Sequence, residues 1–102
     1  MRLHIRKFVA LVESILNLPE PIYEFGALQV RHQKGFANLR TLFPGKSYVG
    51  CDIHEGLGVD RIEDVISLTL PRESVGTVIF VETIEHVQRP QKALEEIYRV
   101  LK

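Results

Sequence analysis

Apolar positions recur along this chain with two different periods. From Leu3 to Leu16, the residues Ile5, Phe8, Val9, Val12, Ile15 and Leu16 fall at the spacing of one helix face. Asn17 and Pro19 end that pattern, which predicts an N-terminal helix within residues 1–18. After the Pro19–Pro21 turn, residues 21–26 read as a short buried strand that stops at Gly26. Phe36, Leu39, Leu42 and Phe43 return to helical spacing until Pro44-Gly45 breaks it. Residues 47–53 predict a second strand, 59–63 a short third and 77–81 a fourth. The stretch 67–74 is mostly loop, interrupted by Pro71. A last helix opens at Gln88 or Arg89, with Pro90 in its first turn, where a missing N–H does no harm. Its apolar stripe is Ala93, Leu94, Ile97, Tyr98 and Leu101.

This order predicts an α/β fold: a Rossmann-like, doubly wound, mainly parallel sheet of about four strands, preceded by a helix. Residues 1–102 form a single domain in this reading, with 21–102 as the Rossmann-like core. One connection does not fit easily. Ile53 to Val59 is too short for a crossover helix, and parallel neighbours usually need a dozen residues or more. Either an ordinary helix has been lost there, or 59–63 is an irregular edge segment.

Composition narrows the function classes only slightly. The chain is 45% hydrophobic and 25% charged, ordinary for a globular domain. Its formal net charge is zero, which gives no electrostatic footprint for nucleic acid. No apolar run has membrane-spanning length, so no membrane association is expected. The single cysteine, Cys51, cannot form an internal disulfide, and it suits a reducing cytoplasm. His4, His32 and His54 are scattered, so no metal site is expected.

Polar residues collect at the predicted carboxyl ends of the strands. Ligands of open α/β sheets bind at those ends. Glu24 and Gly26, followed by Ala27, close the first strand; they make either a ligand-facing loop or a plain turn. Asp52 closes the second strand, 26 residues after Gly26. An acid there can accept hydrogen bonds from both ribose hydroxyls, or simply cap a surface turn. Asp64 and Val65 follow the third segment, where they can hold a base or start a turn. Glu82, Glu85 and His86 follow the fourth strand. They can do acid–base work or begin a helix. His86 alone among them titrates near neutrality unaided.

Taken in order, these segments resemble the class I S-adenosylmethionine-dependent methyltransferase family, in its type 11-like form. Tyr23-Glu24-Phe25-Gly26-Ala27 is similar to the family's acid and glycine-rich loop. Tyr48 to Ile53 is similar to its second strand and terminal acid, and Arg61 to Val65 to its third. Pro71 to Ile79, Ile84-Glu85-His86-Val87, Ala93 to Ile97 and Arg99 to Lys102 complete the match. The resemblance implies S-adenosylmethionine as cofactor, held by Glu24, Gly26, Ala27, Asp52, Ile53, Asp64, Val65 and Glu82. It implies His86 as a candidate catalytic base. The methyl acceptor is not legible. In the family the final Leu-Lys runs on into Pro-Gly-Gly and further strands, so the expectation is a domain truncated after the fourth strand and its helix. Its exposed sheet edge would suit a homodimer.

Departures from the family pattern support a second reading. Leu28 and Val30 replace the second and third loop glycines, and Gly76 stands where an aspartate is common. Leu28 is expected to crowd the methionine part of the cofactor. The alternative to an enzyme is thus a non-catalytic Rossmann-like binding or oligomerisation module with a degenerate cofactor loop. A nicotinamide-binding domain would require a fuller G-x-G-x-x-G than this chain has.

Overall fold

A computed structural model describes residues 3–29, 39–80 and 87–102. Its elements are α1 (Leu3–Leu16), β1 (Ile22–Phe25), a 3-10 turn (Arg40–Leu42), β2 (Tyr48–Asp52), β3 (Arg61–Ile62), β4 (Thr77–Ile79) and α2 (Pro90–Val100). Among the described residues the sheet has four strands in the order β3-β2-β1-β4, and every pairing is parallel. This is the Rossmann-like α/β arrangement that the sequence predicts, with strand order reversing at β1.

Strand parity divides the core into two layers. Ile22, Tyr48 and Ile79 face one side, where they pack with Val9 of α1 and with Leu39 and Phe43. Phe25 and Cys51 face the other, with Leu68, Leu70, Val75 and Val100 of α2. Among the described residues, each sheet face therefore carries one α-helix.

The N-terminal helix forms where its periodicity places it, but only one edge of the apolar stripe meets the sheet. Val9 is buried, whereas Phe8, Ile15 and Leu16 are 60%, 70% and 65% exposed. A two-variant comparison reads this directly. Val9→Ala is expected to cost about 2 kcal/mol, for two buried methyl groups plus the cavity they leave. Ile15→Gln should stay within about 0.5 kcal/mol of wild type in urea unfolding. Equal losses for both would contradict this packing.

Two other sequence expectations are corrected. Of the helix expected over 36–43, the described part is a single 3-10 turn at Arg40–Leu42; residues 36–38 lie outside the described residues. In α2 the buried residues are Ala93, Glu96 and Val100, while Leu94 and Tyr98 are 53% and 82% exposed. A polar clamp turns the helix this way. Glu96 accepts a hydrogen bond from Leu68 N at 2.8 Å and pairs with Arg99, which donates to Leu70 O at 2.9 Å and Leu68 O at 3.1 Å. The clamp satisfies carbonyls that would otherwise be stranded beside the second core layer.

The short β2–β3 connection also has a physical explanation. Arg61 lies in register with Cys51 and Ile62 with Asp52, so β3 pairs only with the top of β2. The chain needs to return by only a residue or so, and no helix is required. Residues 53–60 fold back against β2, with Asp60 N donating to Gly50 O at 2.7 Å and Gly50 N to Asp60 Oδ2 at 2.8 Å. Gly50 makes room for this turn: a Cβ there would lie 2.1 Å from Gly58 O.

The entry to the sheet is equally tight. Pro21 O accepts Gly76 N at 2.9 Å and Thr77 N at 3.2 Å, and Thr77 Oγ1 donates to Pro19 O at 2.7 Å. The outer edge of β4 is approached by Leu101, which bridges to Val75 in parallel. Among the described residues, no helix is long and apolar enough to cross a membrane.

Candidate functional site

A cavity of about 450 Å³ opens at the carboxyl ends of β1, β2 and β3. That volume lies within the range of small-molecule sites. Phe25 and Gly26 contribute from β1, and Asp52, Ile53 and His54 from β2. Glu63, Asp64, Val65 and Ile66 come from the segment after β3, and Val87 and Gln88 from the approach to α2.

Gly26 has φ +82°, a left-handed conformation that favours glycine. That geometry turns the chain so that Gly26 N and Ala27 N both donate to Cys51 O at 2.9 Å. The turn ties the end of β1 to the end of β2 and leaves the bare Gly26 backbone on the cavity. Ala27 is buried and does not line it.

Asp52 is held from both sides. Its Oδ1 accepts His54 N at 3.1 Å, and its Oδ2 accepts Leu28 N at 3.3 Å. A carboxylate has about four acceptor positions, so two backbone bonds orient Asp52 and leave capacity for hydroxyl donors. Ile53 beside it is 59% exposed and provides an apolar wall at the mouth. Asp64 Oδ1 accepts Ile66 N at 3.1 Å, the turn contact that its position in sequence suggested. Val65 packs against the second core layer while also lining the cavity.

Glu24 occupies a different place from the other acids. It shares strand parity with Ile22, so it faces the first core layer, and it is not among the cavity-lining residues. Its carboxylate is buried and accepts Tyr48 Oη at 2.6 Å. Burial pushes the Glu24 carboxyl up to about 7, with the Tyr48 hydrogen bond and the Arg40 charge pulling against it. Burial, and then the Glu24 carboxylate, raise the Tyr48 hydroxyl. Arg40 stacks 5.2 Å from the Tyr48 ring centroid and pairs with Asp60.

Glu63 was not singled out from the sequence, yet it is 3% exposed and lines the cavity. Burial alone would raise its carboxyl. Hydrogen bonds from the Thr69 hydroxyl, from Arg61 and from Thr69 N more than offset this, and they hold it below the usual carboxylate range. Its partners come from either side in sequence, and no spacing rule foretells that clamp. Phe25, His54, Ile66, Val87 and Gln88 also enter through folding alone. Glu82, Glu85, His86 and Val30 lie outside the described residues.

Leu28 departs from expectation. It does not line the cavity; its side chain lies over Gly56. Seated there, the side chain stays off the walls of this cavity.

Asp52, Glu63 and Asp64 all line the cavity, and among the described residues no Lys or Arg does. Such a wall suits a ligand rich in hydroxyl and amino donors or carrying positive charge. It disfavours a phosphate-bearing ligand. Among the described residues, no three His, Cys, Asp or Glu side chains gather as a metal site.

A family model described as a methyltransferase domain matches residues 24–102. A comparison with curated proteins gives no match.

Proposed function

This chain belongs to the methyltransferase-domain family, and from that premise we propose that it binds S-adenosylmethionine and serves as a methyltransferase or the cofactor-binding part of one. The observation that carries this reading is the cavity at the ends of three successive strands, whose described lining includes the acids Asp52, Glu63 and Asp64. S-adenosylmethionine has a ribose diol, an adenine amino group, an ammonium and a sulfonium, and such a ligand fits these walls. The bare backbone of Gly26 gives the close approach that a side chain would block.

In this reading Asp52, already oriented by Leu28 N and His54 N, receives the ribose hydroxyls. Asp64 and Val65 hold the base, one as acceptor and one as apolar contact, and Ile53 shields it from water. Gly26 and Ala27 shape the loop beneath the cofactor. Glu24 acts from behind that loop, through its bond to Tyr48. Bound there, the cofactor supplies an electrophilic methyl group for in-line transfer to a nucleophile. This chain's main contribution to rate would be positioning. Glu82 and His86 are proposed by resemblance, Glu82 near the methionine end and His86 as base. The buried thiol Cys51 suits a reducing compartment, and we place the chain in the cytoplasm.

Isothermal titration of the folded chain with S-adenosylmethionine and with its demethylated product tests the reading. Micromolar binding is expected, and Asp52→Ala should weaken it about tenfold or more, the value of a lost hydrogen bond to a charged group. A chain shown to be folded by circular dichroism that binds neither compound would leave the non-catalytic module as the better reading.

A further inference from the structure

The loop after β1 is fastened to the turn between β2 and β3. Gln29 N donates to Leu57 O at 2.9 Å. Gly58 approaches Ala27 so closely that a Cβ there would lie 2.7 Å from Ala27 O. Between these contacts, the Leu28 side chain fills the space over Gly56, where a Cβ would stand 2.4 Å from Leu28 Cδ1 and 3.8 Å from Cγ. The missing side chain at Gly56 is the seat of Leu28. While Leu28 is seated, its side chain stays out of the cavity lining and its N–H points at Asp52 Oδ2.

We propose that Gly56 is a positioning residue for cofactor binding: by seating Leu28 it keeps the cavity clear and holds the Asp52 carboxylate in its hydroxyl-accepting orientation. This rests on the cofactor reading above and gives it a specific determinant on a different loop. Carbon atoms pack at about 3.5–4.0 Å, so a methyl group at position 56 forces Leu28 to move by roughly 1 Å or more. The opposing atom is the far end of a flexible side chain, not backbone. Unseating Leu28 therefore absorbs the contact, and that part of the loss should appear in binding; the φ of +158° at Gly56 strains any side chain there and adds a separate loss of stability.

The experiment is titration with the demethylated product of S-adenosylmethionine, using the whole chain and following thermal unfolding in parallel. Gly56→Ala is expected to lower the melting midpoint, through the backbone strain at φ +158°, and to weaken binding about tenfold. Adding Leu28→Ala, which empties the seat, should recover most of that loss. A purely structural role for Gly56 would not give this recovery. Leu28→Phe overfills the same seat without touching position 56; it carries the test if Gly56→Ala does not fold, and it too should weaken binding. Wild-type affinity in Gly56→Ala, or in Leu28→Phe where that variant carries the test, overturns the inference while leaving the cofactor reading intact. So does a loss in Gly56→Ala that Leu28→Ala fails to recover. A folded wild-type chain that binds neither compound overturns the cofactor reading, and the inference with it.

Discussion

Gly76→Asp, which restores the residue common in the family, is expected to destabilise this chain by about 3 kcal/mol. Gly76 does not need glycine for an unusual φ; the constraint is contact. A Cβ there would lie 2.3 Å from Glu20 O, 2.6 Å from Glu20 C and 2.7 Å from Pro19 O, all backbone atoms. No rotamer change relieves such an overlap. The opposing segment cannot retreat cheaply either, because Pro21 O and Pro19 O accept hydrogen bonds from Gly76, Thr77 and the Thr77 hydroxyl. Those bonds also set the register in which Thr77 lies beside Ile22. For a domain of this size, a loss of about 3 kcal/mol lowers the melting midpoint by more than about 10 °C. A melt within a few degrees of wild type would show that the Pro19–Pro21 segment does not press on β4 as described.

The same contact explains why the sequence pattern was legible in some places and not in others. The helix over 3–16 and the strands at 22–25, 48–52 and 77–79 follow from apolar spacing, a local signal that survives folding. The pairing of Gly50 with Gly58, or of Gly76 with Glu20, is a contact between distant backbone segments, and the sequence shows it only as isolated glycines. The brevity of β3 is likewise a matter of register, set by where the 53–60 turn lands on β2.

Site residues divide along similar lines. Gly26, Asp52, Ile53, Asp64 and Val65 lie on the cavity because strand ends converge there in any parallel sheet of this order. Glu24 sits one residue before the end of its strand, and parity decides which face such a residue takes. It shares Ile22's face, while Phe25 takes the cavity side. Proximity to a strand end could not settle that. Leu28 looked obstructive because only its size was visible, whereas its seat at Gly56 is made by folding.

The location of Glu24 leads to the second large expected effect: stability should fall as pH rises from about 4.5 to about 7. In the unfolded chain this carboxyl titrates near 4.5, and burial raises it to about 7 in the native protein. Between those values the folded chain keeps a proton that the unfolded chain has lost, so raising the pH favours unfolding. Stability from this group is fully present below the unfolded value, declines across the window and is gone above the folded one. A shift of this size corresponds to about 3 kcal/mol. Glu63, Asp60 and Glu96 work in the opposite direction and at lower pH, because their partners hold them below their ordinary values. Their contribution is lost as pH falls through those depressed values, so of these four carboxyls only Glu24 acts between 4.5 and 7. Urea unfolding at a series of pH values should show the slope in wild type and lose most of it in Glu24→Gln. Tyr48→Phe removes a hydrogen bond that favours the ionised form, so the upper edge of the window should move to higher pH. If wild type and Glu24→Gln had parallel profiles, the Glu24 carboxylate would have to be solvated, not enclosed between Tyr48 and the first core layer. The hydrogen bond to Tyr48 would then be absent from the folded protein in solution.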